Sequence, residues 1–218
     1  MAKKLKIPIV IVGTGGHAKV IAEIAKLNRS FKFLGFLDQK AALDPYCKPV
    51  LGDLNCLEKL KKKNKGLRMI VAIGDNAKRR LVVEANGIES VAMVHPEAVV
   101  SPSATIAPGS VVMAGAIINP HVKIGHHCIV NTGAILDHDC QMEDFSSVAP
   151  GSVLGGAVQI KVQSAIGMGA VILHGVTVGA YSVVGAGAVV TKNIADQVIA
   201  YGVPSKTIRS RTKTEPYL

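Results

Sequence analysis

The 218-residue chain has no tryptophan, four Phe, four Tyr and four Cys, and its 15 acidic residues are outnumbered by 25 Lys and Arg. With so few aromatic rings, any core must be built from Val, Ile, Ala and other small residues. Apolar residues still make up 49% of the chain and charged residues 18%, which excludes a disordered tail. No apolar run approaches the roughly 18 to 20 residues that a membrane-spanning helix needs. Met1–Lys6 is basic, yet the apolar stretch Ile7–Val12 is too short for the core of a secretion signal and runs straight into glycines. Four cysteines without a CxxC pair form no disulfide framework. A cytoplasmic protein with reduced thiols is expected.

The positive charge sits in one part of the chain. Residues 1–93 carry 18 Lys/Arg and 8 Asp/Glu, while residues 94–218 carry seven of each. A basic segment suits an anionic partner. Nucleic acid is not expected, because no aromatic–basic interleaving or nucleic-acid motif occurs. The run Lys59, Lys61, Lys62, Lys63, Lys65 reads as a solvated helix face.

From Val94 to Val190, in steps of six, all 17 positions are aliphatic or Met. Four residues after each, from Ala98 to Ile194, all 17 are small or are Val or Ile. Neither a 3.6-residue helix nor a simple hairpin protein has this period. One large and one small inward residue per short strand lets three strands close a triangular coil of 18 residues. Such coils stack at the strand spacing of about 4.8 Å. The pattern resembles the hexapeptide-repeat left-handed parallel β-helix. Cys128 and Cys140 fall on inward positions, as core residues.

The first 93 residues read as a small Rossmann-like α/β domain. Ile7–Val12 is a continuous apolar strand, followed by Gly13-Thr14-Gly15-Gly16-His17-Ala18 and a helix with Val20, Ile21, Ile24 and Leu27 as its apolar face. Phe31–Leu37 is a second strand ending at Asp38. Asp53 caps a helix carrying Leu54, Leu57 and Leu60. Met69–Ile73 is a third strand leading to Gly74-Asp75-Asn76 and a helix with Leu81 and Val82, stopped by Asn86-Gly87. Strands alternating with helices argue for a parallel sheet. The glycine turn fits G-x-G-x-x-G/A, with an acid at the end of the next strand. A nucleoside-diphosphate sugar, NAD and a purely structural tight turn are the readings of this loop. The three strand ends should converge on one sheet edge. The expected division is 1–93, 94–195 for the β-helix and 196–218 for the tail.

Folding the repeat modulo 18 stacks His138 under Gly156 and then His174, His121 under Asp139, and His126 under Asp144. His95, His121, His126 and His127 read as ordinary surface histidines. His138 differs, because Asp137 and Asp139 flank it and the next coil presents Gly155-Gly156-Ala157. An imidazole with a supporting carboxylate below a groove free of side chains is the arrangement a general base needs. Metal binding is the rival reading, since the spacing of His138 and His174 looks like that of γ-class carbonic anhydrases. That family's third histidine position is Gly179 here, so no metal is expected.

The motifs Gly13-Thr14-Gly15-Gly16-His17-Ala18-Lys19, Phe36-Leu37-Asp38, Ala72-Ile73-Gly74-Asp75-Asn76, Asn131-Thr132, Asp137-His138-Asp139-Cys140 and Gly202-Val203-Pro204-Ser205-Lys206 span nearly the whole chain. Together they resemble the sugar acetyltransferases of bacterial glycan biosynthesis. That family includes bacillosamine-type UDP-4-amino-sugar N-acetyltransferases, perosamine N-acetyltransferases and sialic-acid O-acetyltransferases.

The resemblance implies a homotrimer with acetyl-CoA in a trench between adjacent β-helices and a UDP- or GDP-linked sugar on the small domain. It implies His138 as catalytic base and Asp139 as its support. It assigns Gly15, Gly16, His17, Asp38 and Gly74 to the nucleotide sugar, and Gly156, Met168 and Ala186 to the coenzyme. Ser147 stands where some relatives carry a coenzyme-contacting histidine. Lys206, Arg209, Arg211 and Lys213 are either coenzyme-phosphate ligands or solvated. The expected reaction is direct acetyl transfer to the 4-amino group of a nucleotide-linked 4-amino-4,6-dideoxy sugar, with a backbone N–H near Gly156 facing the oxyanion. The other readings are a sugar O-acetyltransferase, a metalloenzyme, a nucleotide-binding regulatory module and a structural scaffold.

Overall fold

The structure, a computed structural model, describes residues 6–39 and 49–217, so most of the basic start Met1–Lys6 lies outside the described residues. A three-stranded parallel sheet opens the chain. Its centre is β1 (Ile7–Val12), flanked by β2 (Phe31–Leu37) and β3 (Arg68–Val71). From Ile9 onward β1 is buried, as a central parallel strand must be. The third strand stops at Val71, two residues short of the sequence expectation.

Helix α1 (Gly16–Leu27) buries Ala18, Ile21, Ala22, Ile24 and Ala25. Its expected apolar face is thereby corrected, since Val20 and Leu27 are 39% and 50% exposed. The stripe i, i+3, i+4, i+7 that meets the sheet is the alanine-rich one, which allows close approach.

A 3-10 turn (Leu54–Cys56), with Asp53 accepting the Asn55 N–H, leads into α2 (Leu57–Lys63). Here Lys59, Lys62, Lys63 and Lys65 are exposed and Lys61 pairs with Glu58 at 3.0 Å. Helix α3 (Asn76–Asn86) starts with Asp75 Oδ1 accepting the Lys78 N–H at 2.8 Å and ends at Gly87 with φ 52°. It buries Asn76 and Arg79, while Leu81 is exposed.

Seventeen two-residue strands follow, β4 (Met93–Val94) to β20 (Val189–Val190), with no break in register. From β4 to β17 each pairs in parallel with the strand 18 residues on, as Ile129 does with Ser147 and Ile135 with Val153. The result is a left-handed triangular prism with three faces. The large and small hexad residues, from Val112 to Ala200, form its core. Cys128 and Cys140 are fully buried there, and burial pushes both thiols up, Cys140 to about 11. Burial and a raised pKa both disfavour a nucleophilic role.

Outward residues distinguish the faces. The first face carries Met93, Val111 and Ile129, which share one cluster with β1, α1 and β2. The second carries Val99, Ile117, Ile135, Val153, Val171 and Val189, all aliphatic. The third carries Thr105, Lys123, Gln141, Gln159 and Thr177, all polar. Within residues 196–218, β21 (Val198–Tyr201) extends the first face in parallel and β22 (Lys206–Ser210) turns back antiparallel. No helix among the described residues is long and apolar enough to cross a membrane.

Candidate active site

His138 stands on the corner between the second and third faces, where the chain leaves Ile135–Leu136. Its Nδ1 is 2.8 Å from Asp139 Oδ2, and both side chains are about half exposed. The local backbone builds this pair. Asp139 takes φ 62°, the left-handed conformation the corner needs and one that Asp tolerates better than most residues. Its own N–H bonds Pro120 O. Asp137 turns inward to the loop instead, accepting the His138 N–H at 2.8 Å and the Asn119 amide at 2.9 Å. The His138 N–H is the main reason its carboxyl lies below the usual range. The Asp139 hydrogen bond, aided by the Asp137 and Asp139 charges, raises the His138 imidazole above its ordinary value.

With Nδ1–H donated to Asp139, the Nε2 lone pair faces the next coil. There Gly156 leaves a gap: a Cβ on it would lie 2.5 Å from His138 Nε2. Beyond it the His174 ring sits 6.1 Å from the His138 ring. The Ala157 N–H bonds His138 O and the Gly155 N–H bonds Ile172 O. The Gly156 N–H has no backbone acceptor among the described residues. His138, Asp139 and Gly156 are thus together. Met168 (62% exposed) and Ala186 are not with them. They lie on the corner between the first and second faces, across the aliphatic second face from His138.

The small domain holds a cleft of about 650 Å³ at the ends of β1, β2 and β3. Gly13, Thr14, Gly15, Asp38, Asp53 and Asn55 are among its lining residues. Thr14 Oγ1 donates to Asp38 Oδ2 at 2.7 Å. Gly15 is the N-cap of α1 and offers no side chain, so the helix's first N–H groups are open to an anion. The strand ends converge as expected. Gly16, His17 and Gly74 are not in the lining. Burial, then the Arg79 charge, lowers His17 to about 4. The Gly74 carbonyl accepts from Arg79 Nη1 and from the Tyr217 hydroxyl.

Other expectations need correction. His95 and His127 are buried, not surface residues. His127 stacks on Phe145 with ring centroids 5.2 Å apart. Ser147 is buried too, bonded to Asn76 Nδ2 and the Tyr217 hydroxyl at 3.1 Å each, so it does not face a coenzyme. In the tail, Arg209 pairs with Glu215, Arg211 donates to the Tyr181 and Glu215 carbonyls, and Lys213 lies 4.8 Å from the Tyr181 ring centre. Asn55 in the cleft, and Arg79 and Tyr217 at the joint between the domains, were not singled out from sequence; Thr14, Asp53 and Asn76 were named there only as motif or capping residues. An acid capping a helix whose first turns hold Asn and Arg was the available signal for Asn76 and Arg79. Nothing in the sequence marked Tyr217.

Residues 8–85 match the PglD N-terminal domain family, and residues 163–192 match the bacterial transferase hexapeptide (six repeats) family. UDP-N-acetylbacillosamine N-acetyltransferase of Bacillus subtilis (strain 168) is 36% identical over 110 residues, which are 49% of this chain. The match spans about half, 51%, of that curated relative. The acetyltransferase domain of PglB from Neisseria gonorrhoeae FA1090, solved with acetyl coenzyme A, has a TM-score of 0.87 and 36% identity, over 93% of this chain and 100% of that one. A histidine-to-alanine mutant of GDP-perosamine N-acetyl transferase from Caulobacter crescentus, solved with CoA and GDP-perosamine, also has a TM-score of 0.87. Its identity is 39%, over 93% of this chain and 97% of that one.

Proposed function

The chain belongs to the hexapeptide-repeat sugar acetyltransferase family, and on that premise we propose that it moves an acetyl group from acetyl-CoA to the 4-amino group of a nucleotide-linked 4-amino-4,6-dideoxy sugar. The observation that carries the reading is the corner itself: a carboxylate-supported imidazole whose Nε2 faces a gap held open by Gly156. The solved relatives with acetyl coenzyme A, CoA and GDP-perosamine supply the substrate classes.

His138 Nε2 takes the proton from the amine as its nitrogen attacks the thioester carbonyl. Asp139 holds the ring and favours the imidazolium that forms. The Gly156 N–H stabilises the developing oxyanion. The carbon–sulfur bond then breaks, and the coenzyme leaves as its thiol, taking a proton back. Burial of Cys128 and Cys140 speaks against an acyl-enzyme on either thiol. Gly15 and the N-terminus of α1 meet the diphosphate, and Asp38 meets the nucleoside.

The chain acts as a homotrimer with the aliphatic second face between copies. That packing buries the apolar column from Val99 to Val189 and leaves the polar third face in water. It also brings the His138 edge of one copy against the Met168–Ala186 edge of the next, so residues on two corners serve one coenzyme trench. Incubating the protein with acetyl-CoA and a panel of UDP- and GDP-linked 4-amino-4,6-dideoxy sugars and free sialic acids, and measuring free thiol, tests the reading. Release with a nucleotide amino sugar supports it. Release with sialic acid alone overturns it in favour of O-acetylation.

A further inference from the structure

Arg79 is 1% exposed, and among the described residues no carboxylate lies within ion-pair distance of it. A guanidinium buried this way is costly unless every donor is used. All five of its N–H groups are taken. Nη1 donates to Ile73 O and Gly74 O, both at 2.9 Å, on the loop that closes one wall of the nucleotide cleft. Nη2 donates to Asn76 Oδ1 at 2.6 Å and to Phe145 O at 3.0 Å, and Nε to His127 O at 2.9 Å. Three acceptors therefore belong to the small domain and two to a corner of the prism.

A second set of bonds runs beside the first. Asn76 Nδ2 donates to Ser147 Oγ and to the carbonyls of Gln163 and Ser164. Ser147 Oγ bonds the Tyr217 hydroxyl at 3.1 Å, and that hydroxyl donates to Gly74 O at 3.1 Å. Arg79 of the small domain and Tyr217 of the C-terminal tail meet at one carbonyl, that of Gly74.

The corner under Arg79 carries the bulkiest left-handed residues of the three; the corner between the second and third faces carries His121, Asp139, Ala157 and Gly175. Corners of the prism need one residue with positive φ. Between the first and second faces that residue is Gly115, Gly133, Gly151, Gly169 and Gly187 in turn. Between the third and first faces it is Gly109, then His127, Phe145, Gln163 and Tyr181. Large side chains in this conformation are strained. Here each takes part in the joint. Gln163 Oε1 accepts from Arg80 at 2.8 Å, the Arg80 guanidinium lies 6.0 Å from the Phe145 ring centre, and Lys213 lies over Tyr181.

An apolar filling would hold two domains together equally well. What five fixed-geometry bonds add is a single orientation. We infer that Arg79, closed off by Tyr217, is a positioning residue that holds the nucleotide-sugar cleft at one angle to the prism, so that the acceptor amine is delivered in line with a His138 corner. This rests on the acetyltransferase reading. Misplacing a bound acceptor by about 1 Å can cost about a hundredfold in rate.

The test compares the parent with Tyr217→Phe and Arg79→Lys on two acceptors: the nucleotide-linked amino sugar, and the same amino sugar without its nucleotide at high concentration. Tyr217→Phe should lower kcat for the nucleotide-linked acceptor about fivefold or more, the equivalent of one net hydrogen bond. KM for both substrates, and the rate with the untethered sugar, should stay within about twofold of the parent. Arg79→Lys should act in the same direction and more strongly. Equal losses on both acceptors would reduce the joint to general stability, and no loss in Tyr217→Phe would remove its role; either result overturns the inference. A parent silent on every acceptor removes the acetyltransferase reading, and this inference with it.

Discussion

Gly156 lies on the coil next to His138 so closely that a methyl group added to it would sit 2.5 Å from the imidazole Nε2. Its φ is not in the left-handed region, so the backbone itself accepts alanine. The ring must then swing off Asp139 or the acceptor must leave the gap. Gly156→Ala should therefore lower turnover by about a hundredfold while the far-ultraviolet spectrum and melting temperature stay near those of the parent. A fully active Gly156→Ala enzyme would mean that the acceptor does not use this gap.

Asp139 both orients the His138 ring and raises its pKa. An amide at this position can also favour the wrong imidazole tautomer. Asp139→Asn should lower the kcat/KM plateau by about tenfold or more. Its ascending pH limb should move to lower pH, because the imidazole loses the contact that favours its protonated form. The pH–rate profiles of the two proteins check both shifts. A limb that does not move would separate Asp139 from the titrating group.

The six-residue register made the prism legible down to single residues, because its inward positions tolerate only two kinds of side chain. The strand ends of the small domain were legible for a similar reason: glycine turns and terminal acids have few other uses. The joint was not. Arg79 and Asn76 look like ordinary polar residues at the start of a helix, and their partners are mostly backbone carbonyls, which carry no sequence signal. His127 illustrates the same limit. Nothing in its neighbours distinguishes a surface imidazole from one stacked on Phe145, 18 residues away.

Two histidines, His17 half-buried and His127 buried, give the fold an acid limit. His17 and His127 are each lowered to about 4 by burial and then by the Arg79 charge. Both are neutral in the folded protein and charge more readily when unfolded, so the unfolded state binds more protons below about pH 6.5. Stability should be full above that value and fall as the pH drops from about 6.5 toward 4. Urea midpoints measured across this range check it, and the fall should be shallower in His127→Gln. Midpoints that stay level would mean that neither ring is buried as neutral imidazole.

Ile135 and Val153 point outward at the middle of the aliphatic second face. Replacing both by Glu should convert a trimer to monomers in sedimentation and abolish turnover, since the coenzyme trench would lose one wall. Matched substitutions of Gln141 and Gln159 on the polar third face should leave assembly unchanged. A trimer that survives charges on the second face would place the contact elsewhere.

The proposed transfer depends on His138 as the base. Steady-state thiol release from acetyl-CoA with a nucleotide-linked 4-amino sugar, parent against His138→Ala, tests this most directly. The expected result is a fall in kcat of about 10²–10⁴-fold with coenzyme binding retained. Turnover within a few-fold of the parent would contradict it, and the proton would have to leave the amine by another route.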